Sequence, residues 1–332
     1  MRIYGWSDGR GGVFHYRIRE PLRGLRLLGH ETATGQALTV KQARTYDVIL
    51  VRALHDPWSS RAWRLLKESN DVLLVYDLDD DIWAWHPNTK AFQYWNRERR
   101  LQAELNIQLA DLVTTPSYHL AALLEHLNPN VHVLPNTVPK WLTKIGPNSQ
   151  PPGVFVIGWE GAAQHLEDLQ LIYTPVFRFM LRHPDVHFWL WGPDEFIELP
   201  AHLDSRIRCF GWQPDVPSYY RSLCMNIALA PLQEQPFNET KSAIRVQEHS
   251  ALGIPIIANP SLAYDGFLIH GENGLHANDE FEWELRFEQL YEDSRFRQRL
   301  GARGRELAQS WTTEANAQVR ARLYQEALNV KS

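Results

Sequence analysis

The chain is poor in cysteine. Cys209 and Cys224 are the only two in 332 residues, too few for a disulfide framework and not spaced as zinc ligands, so both are expected as reduced core residues. No run of 18 apolar residues occurs, and the opening MRIYGWSDGRGG lacks the basic segment and apolar stretch of a secretory leader. These absences predict a soluble, cytoplasmic protein. Surplus charge is also small: 34 Lys and Arg against 39 Asp and Glu leave a formal −5. That balance argues against a protein held on nucleic acid or anionic lipid by bulk electrostatics, while a local basic stripe stays open.

What is present is enough apolar material, 44% of residues, for two domains with separate cores. Short apolar runs alternate with amphipathic stretches: RIYGW, a helical 14–28, VILVRA at 48–53, a helical 57–69, VLLVYD at 72–77, a long helical 89–110, LVTT at 112–115, a helix to about Leu127, and VHVLPN at 131–136. The alternation predicts an α/β, doubly wound, Rossmann-like first domain over 1–140. The Pro- and Gly-containing 141–152 reads as a linker. The pattern restarts over 153–310 with VFVIGW, VHFWLWG, RIRCFGW, MNIALAPL and IPIIA, and 311–332 reads as a last helix packing back on the first domain. Two such sheets suggest a cleft at their strand C-terminal edges, where doubly wound folds bind ligands.

Three places carry candidate chemistry. Gly11-Gly12, between the first strand and a helix bearing Arg17, would let backbone amides approach a phosphate, although a plain tight turn explains a Gly-Gly equally well. In 231–258 a helix expected from about Thr240 would place Lys241, Ser242 and Arg245 at its positive end. Glu248, seven residues beyond Lys241 on the same face, would accept from ribose hydroxyls; an ordinary charged surface helix is the competing account. In the second-domain opening, Gly161 permits close backbone approach and His165 follows it; Gly192, Gly211 and Trp212 end later strands where a nucleobase could lie, or where tryptophan simply packs.

Here a resemblance becomes specific. Phe237-Asn238, Lys241-Ser242, Arg245 and Glu248, followed by Ala251-Leu252-Gly253 and Pro255, resemble the donor-site block of retaining group-1 glycosyltransferases. Ile157-Gly158-Trp159-Glu160-Gly161 and the Gly-Gly loop ahead of Gly29-His30-Glu31 are similar to other parts of the same family. The resemblance implies a GT-B fold, two Rossmann-like domains facing each other across a cleft, and a nucleotide-sugar donor, a UDP- or GDP-sugar, with no further cofactor. It also implies metal-independent transfer with retention, in which the leaving phosphate helps take the acceptor proton, and donor contacts from Asn238, Lys241, Ser242, Arg245 and Glu248. One departure stands out: many members carry a second glutamate eight positions before the later one, and here that position is Thr240, with Glu239 beside it. Glu239 or Asn238 is the candidate substitute.

On the acceptor side, VLLVY runs into Asp77-Leu78-Asp79-Asp80-Asp81. Clustered carboxylates suit acid–base work, a metal or helix capping; Asp79 and Asp80 are the candidates for orienting the acceptor hydroxyl, and Lys241 for stabilising the leaving charge. Asp77, Asp81, Trp83, Trp85, Tyr94 and Arg97 are candidate acceptor contacts within an aromatic and basic stretch that also holds Phe92, Trp95, Arg99 and Arg100. The acceptor stays open among glycans, small molecules and a modified DNA base. A nucleotide-sugar epimerase and a non-catalytic nucleotide-sugar-binding module remain the rival readings.

Overall fold

The computed structural model describes every residue except 8–10, 88, 147, 163–164, 193–200, 212, 214 and 332. The chain forms two compact units. The first joins Met1–Pro139 with Glu239–Ser242 and Ser310–Ser332; the second joins Lys140–Asn238 with Ala243–Gln309. Residues 141–152 thus fall in the second unit and include a short helix, Leu142–Ile145, while the final helix Thr313–Lys331 falls in the first.

The first unit is built on a parallel sheet of β1 (Arg2–Trp6), β2 (Glu31–Gly35), β3 (Val48–Arg52), β4 (Leu73–Asp77), β5 (Leu112–Thr115) and β6 (Val131–Val133), in the order β2-β1-β3-β4-β5-β6. Its central strands are near-continuous apolar runs, as expected of strands covered on both faces. Ile18, Leu22 and Leu25 pack with Ile3, Val48, Leu50 and Val75, and Ala321 and Tyr324 of the final helix join them. A Cβ on Gly5 would lie 2.6 Å from Ile18, so that glycine lets helix and strand approach closely.

The second unit repeats the plan with β7 (Phe155–Glu160), β8 (Val186–Trp191), β9 (Ile207–Phe210), β10 (Ile227–Ala230), β11 (Ile256–Ala258) and β12 (Gly274–His276), ordered β12-β11-β10-β7-β8-β9 and all parallel. One cluster of its core runs from Trp159, Phe179 and Phe188 to Trp283 and Phe287. The strand order reverses between β1 and β3 in the first sheet and between β7 and β10 in the second. Such reversals leave a crevice beyond the strand ends.

Three elements differ from the sequence expectations. The 89–110 helix is two helices, Lys90–Tyr94 and Arg97–Leu109, because the Asn96 side chain accepts from the Arg99 amide and starts a new N-terminus. The 14–28 helix contains a π-turn, His15–Arg19, in which the Glu20 amide reaches the His15 carbonyl; Pro21, next in line, has no N–H to give. The helix expected from Thr240 begins later: Pro236–Glu239 is one short turn and Ile244–Leu252 another helix. Lys241 and Glu248 therefore share no helix face. Gly253 ends the latter in a left-handed conformation, φ 72°. Among the described residues no helix is long and apolar enough to cross a membrane.

Candidate functional site

In the second unit the crevice is shaped first by glycine. The Gly161 amide donates to the Trp191 carbonyl at 3.0 Å, and a Cβ on Gly192 (φ 153°) would fall 2.1 Å from the Gly161 carbonyl oxygen. Neither side-chain space nor backbone conformation admits another residue at Gly192. Gly161 and Gly192 are thus brought together at the ends of β7 and β8. Gly211 follows β9, where Trp191 and Phe210 stack at 4.7 Å; Trp212, the third nucleobase candidate, lies outside the described residues.

A buried carboxylate then organises two more candidates. Asp168 lies 3.0 Å from His165 Nδ1 and accepts from the Asn238 amide at 2.7 Å and the Gln233 backbone N–H at 2.8 Å. It bridges the segments following β7 and β10, which is the switch point of this sheet. Burial alone would raise its pKa, but the hydrogen bonds from His165, Gln233 and Asn238 outweigh that and hold it below the usual carboxylate range. A carboxylate kept ionised there fixes the Nδ1–H tautomer of His165.

The helix Ile244–Leu252 brings the third group. No side chain caps its N-terminus at Ala243, so its first amides are not satisfied by a local cap. Arg245, 14% exposed, sits with Nε 3.0 Å from Glu160; its Nη1 is buried and has no hydrogen-bond partner among the described residues. Burial works against the guanidinium's charge, and Glu160, Tyr264, Asp168 and Tyr219 together more than offset it. His249, one turn on, places Nε2 2.8 Å from the other Glu160 oxygen. Glu248 is buried beside them, and burial together with Glu160 and Glu248 raises the Tyr219 phenol's pKa.

In the first unit the aspartates divide their work. Arg17, 1% exposed, forms a two-pronged pair with Asp77 at 2.8 and 2.7 Å and donates further to the Leu134 carbonyl and Asn136. Thr114 also donates to Asp77 at 2.5 Å. Arg17 and Asp77, expected as a donor and an acceptor contact, are thus held in a buried pair with protein partners. Asp81, another expected acceptor contact, is buried too and accepts from the Trp83 and Ala84 amides, capping a turn. Asp79 and Asp80 are more open. Asp79 meets Arg52 at 3.3 Å, and burial, only partly countered by Arg52, pushes its pKa up to about 6. Asp80 lies 3.8 Å from Lys241, whose segment belongs to this unit: the Thr240 carbonyl accepts from Ser117 at 2.6 Å and Ser242 from Asn136 at 2.8 Å. Glu239 is exposed and Thr240 buried. Gly11, φ 74°, opens the short helix Gly11–Phe14 with Gly12, in open surroundings. Among the described residues no three of His, Cys, Asp and Glu gather as a metal-binding group.

The aromatic and basic stretch also splits. Trp85, expected as an acceptor contact, is buried. The Tyr94 hydroxyl lies 2.9 Å from His55 Nε2, with the Arg99 guanidinium 4.2 Å over its ring. Trp83 donates to Glu104 at 2.7 Å and lines, with Arg97, a cavity of about 700 Å³. Two residues gained a role only in three dimensions. Asp168 and Glu160 stood in the sequence only within the stretch Ile157 to Leu169 that resembles the family, with no role of their own; a carboxylate closing a fully buried run is the signal that could have marked Glu160.

Residues 175–322 match the family model described as "Glycosyl transferase-like". No curated protein sequence matches the chain. Among solved structures it is similar to sucrose-phosphate synthase from Thermosynechococcus elongatus, TM-score 0.72 at 16% identity over 99% of this chain and 100% of that one. It is also similar to HepE of Anabaena in complex with UDP-glucose, 0.63 at 17% over 99% of each, and to a glycosyltransferase from Rickettsia africae, 0.67 at 14% over 98% of each. The chain thus has the two-sheet GT-B fold of these structures end to end, and its later part is similar in sequence to the glycosyl transferase-like family.

Proposed function

We propose that the protein transfers a sugar from a nucleotide-sugar donor, a UDP- or GDP-sugar, to an acceptor hydroxyl with retention of configuration. The observation that carries this is the buried, uncommitted Nη1 of Arg245 beside an uncapped helix N-terminus at the crevice of a doubly wound sheet. Cation, amides and helix dipole act there on one anion, which suits a diphosphate. Glu248, further along the same helix, would accept from ribose hydroxyls, and the Gly161–Gly192 contact would let the phosphates approach the backbone. The complexes of HepE with UDP and with UDP-glucose support a uridine donor.

In this reading Arg245 and the helix amides stabilise the charge that develops on the departing diphosphate. His165 and Asn238, both fixed by Asp168, position the transferred sugar; Asp80 orients the acceptor hydroxyl, and Lys241 stabilises the leaving charge. The leaving oxygen takes the acceptor proton as the sugar passes through an oxocarbenium-like state on the same face. No protein nucleophile is needed. The test is calorimetry against UDP-, GDP-, ADP- and dTDP-sugars, followed by the anomeric configuration of the product by NMR. One donor is expected to bind and to lose affinity in Glu248→Ala, while Lys241→Ala lowers turnover more than affinity. Silence across the panel, or a hit indifferent to Glu248 and Arg245, would remove the donor assignment.

A further inference from the structure

The break between Lys90–Tyr94 and Arg97–Leu109 does more than interrupt a helix. Beside it lies the cavity of about 700 Å³, walled by Trp83, Phe92 and Trp95 on one side and by Arg97, Arg100 and Glu104 on the other. The last three stand three and four residues apart and so share one face of the helix Arg97–Leu109. Such a volume accommodates one or two sugar rings, and aromatic faces suit the C–H faces of a pyranose.

The lining carries two guanidiniums. Glu104, the one carboxylate among its described residues, is already engaged by the Trp83 indole N–H, and Asp81 acts on Arg100 from outside the lining. The Arg100 guanidinium lies 5.0 Å over the Phe92 ring, which holds it in place, and its Nε is buried without a hydrogen-bond partner among the described residues. Arg97 adds a second, exposed guanidinium. A neutral sugar leaves the buried Arg100 Nε unanswered, whereas a carboxylate or phosphate on the ring matches guanidinium geometry.

We infer that this cavity is a subsite for a sugar ring bearing an anionic group, so that the acceptor is an acidic saccharide. The inference rests on the transferase reading but concerns only the first unit. The test is calorimetry on the full chain with methyl glucuronide, glucose 6-phosphate and neutral methyl glucoside, each for the wild type, Arg100→Gln and Arg97→Gln, with UDP titrated into the same samples. At least one acidic sugar is expected to bind tenfold or more tightly than methyl glucoside; which one distinguishes a carboxylate from a phosphate. That preference should fall at least fivefold in Arg100→Gln, with UDP affinity and Tm unchanged. Equal affinity for all three sugars, no binding by any, or a preference intact in both variants overturns the inference. Arg97→Gln, at an exposed position, keeps the test valid if Arg100→Gln fails to fold. Because UDP is read separately, a failed donor assignment and a failed acidic subsite give different results.

Discussion

Each unit buries an arginine against a carboxylate at the end of a strand, and the two pairs differ in what is left over. Arg17 gives Nε, Nη1 and Nη2 to Asp77, Leu134 and Asn136. Arg245 is ion-paired through Nε with Glu160 and keeps a buried Nη1 with no hydrogen-bond partner among the described residues. Both looked alike in the sequence, as arginines near a helix start at a candidate phosphate site. A saturated guanidinium is a brace; one with an open N–H is a receptor for an anion, because leaving it unmet is costly. The crevice carboxylates differ in the same sense. Asp79 is pushed toward the neutral acid and Asp168 is held ionised.

The comparison can be broken at several points. The largest effect is expected for Arg17→Ala, which strands Asp77 in the interior and should cost about 3–5 kcal/mol in urea unfolding, with UDP-sugar affinity preserved in the folded fraction. A loss below about 1 kcal/mol, on the scale of an exposed ion pair, would mean that Arg17 is no brace. Next, Arg245→Gln should weaken UDP-sugar binding at least about tenfold, some 1.4 kcal/mol, by calorimetry; unchanged affinity would erase the distinction between the two arginines.

A smaller effect concerns pH. The folded pKa of Asp79, about 6, lies above the ordinary 3.8, so between these values the native chain holds a proton that the unfolded chain has lost. Its contribution therefore falls as pH rises through that window, and Asp79→Asn should raise stability above pH 6 by on the order of 1 kcal/mol while flattening the slope below it. Asp168 acts with the opposite sign: its stabilisation is present above the ordinary carboxylate range and lost as pH falls through its lowered pKa. Chemical unfolding from pH 4 to 7 separates the two. Smallest of all, Arg178→Ala removes exposed pairs with Glu280 and Glu284 and should move stability by no more than about 0.5 kcal/mol.

Most of the fold was legible because central parallel strands are apolar throughout and stand out against amphipathic helices. The strands that escaped, ETATG of β2 and GLH of β12, are edge strands. One is largely polar and the other only three residues long, so neither offers a run of apolar residues. The start of the helix after Thr240 was hidden for another reason. Residues 240–243 contain neither Gly nor Pro, and their non-helical path depends on Ser117 and Asn136, more than a hundred residues away in sequence. The proposed donor block could be picked out from residue types and spacing. Which of its charges were already neutralised was not, since Glu160, Asp80 and Asp168 reach them only through the fold.

The π-turn at His15–Arg19 closes its hydrogen bond one residue later than an α-helix would. In register terms the segment carries one residue too many, and every side chain before the turn is rotated by about 100° relative to an uninterrupted helix. Deleting a single residue there would leave composition and polarity almost unchanged. It would nonetheless force a choice between the phase that seats Arg17 on Asp77 and the phase that presents Gly11 and Gly12 at the end of β1. The loop at the first crevice and the brace beneath it are thus geared together by one surplus residue.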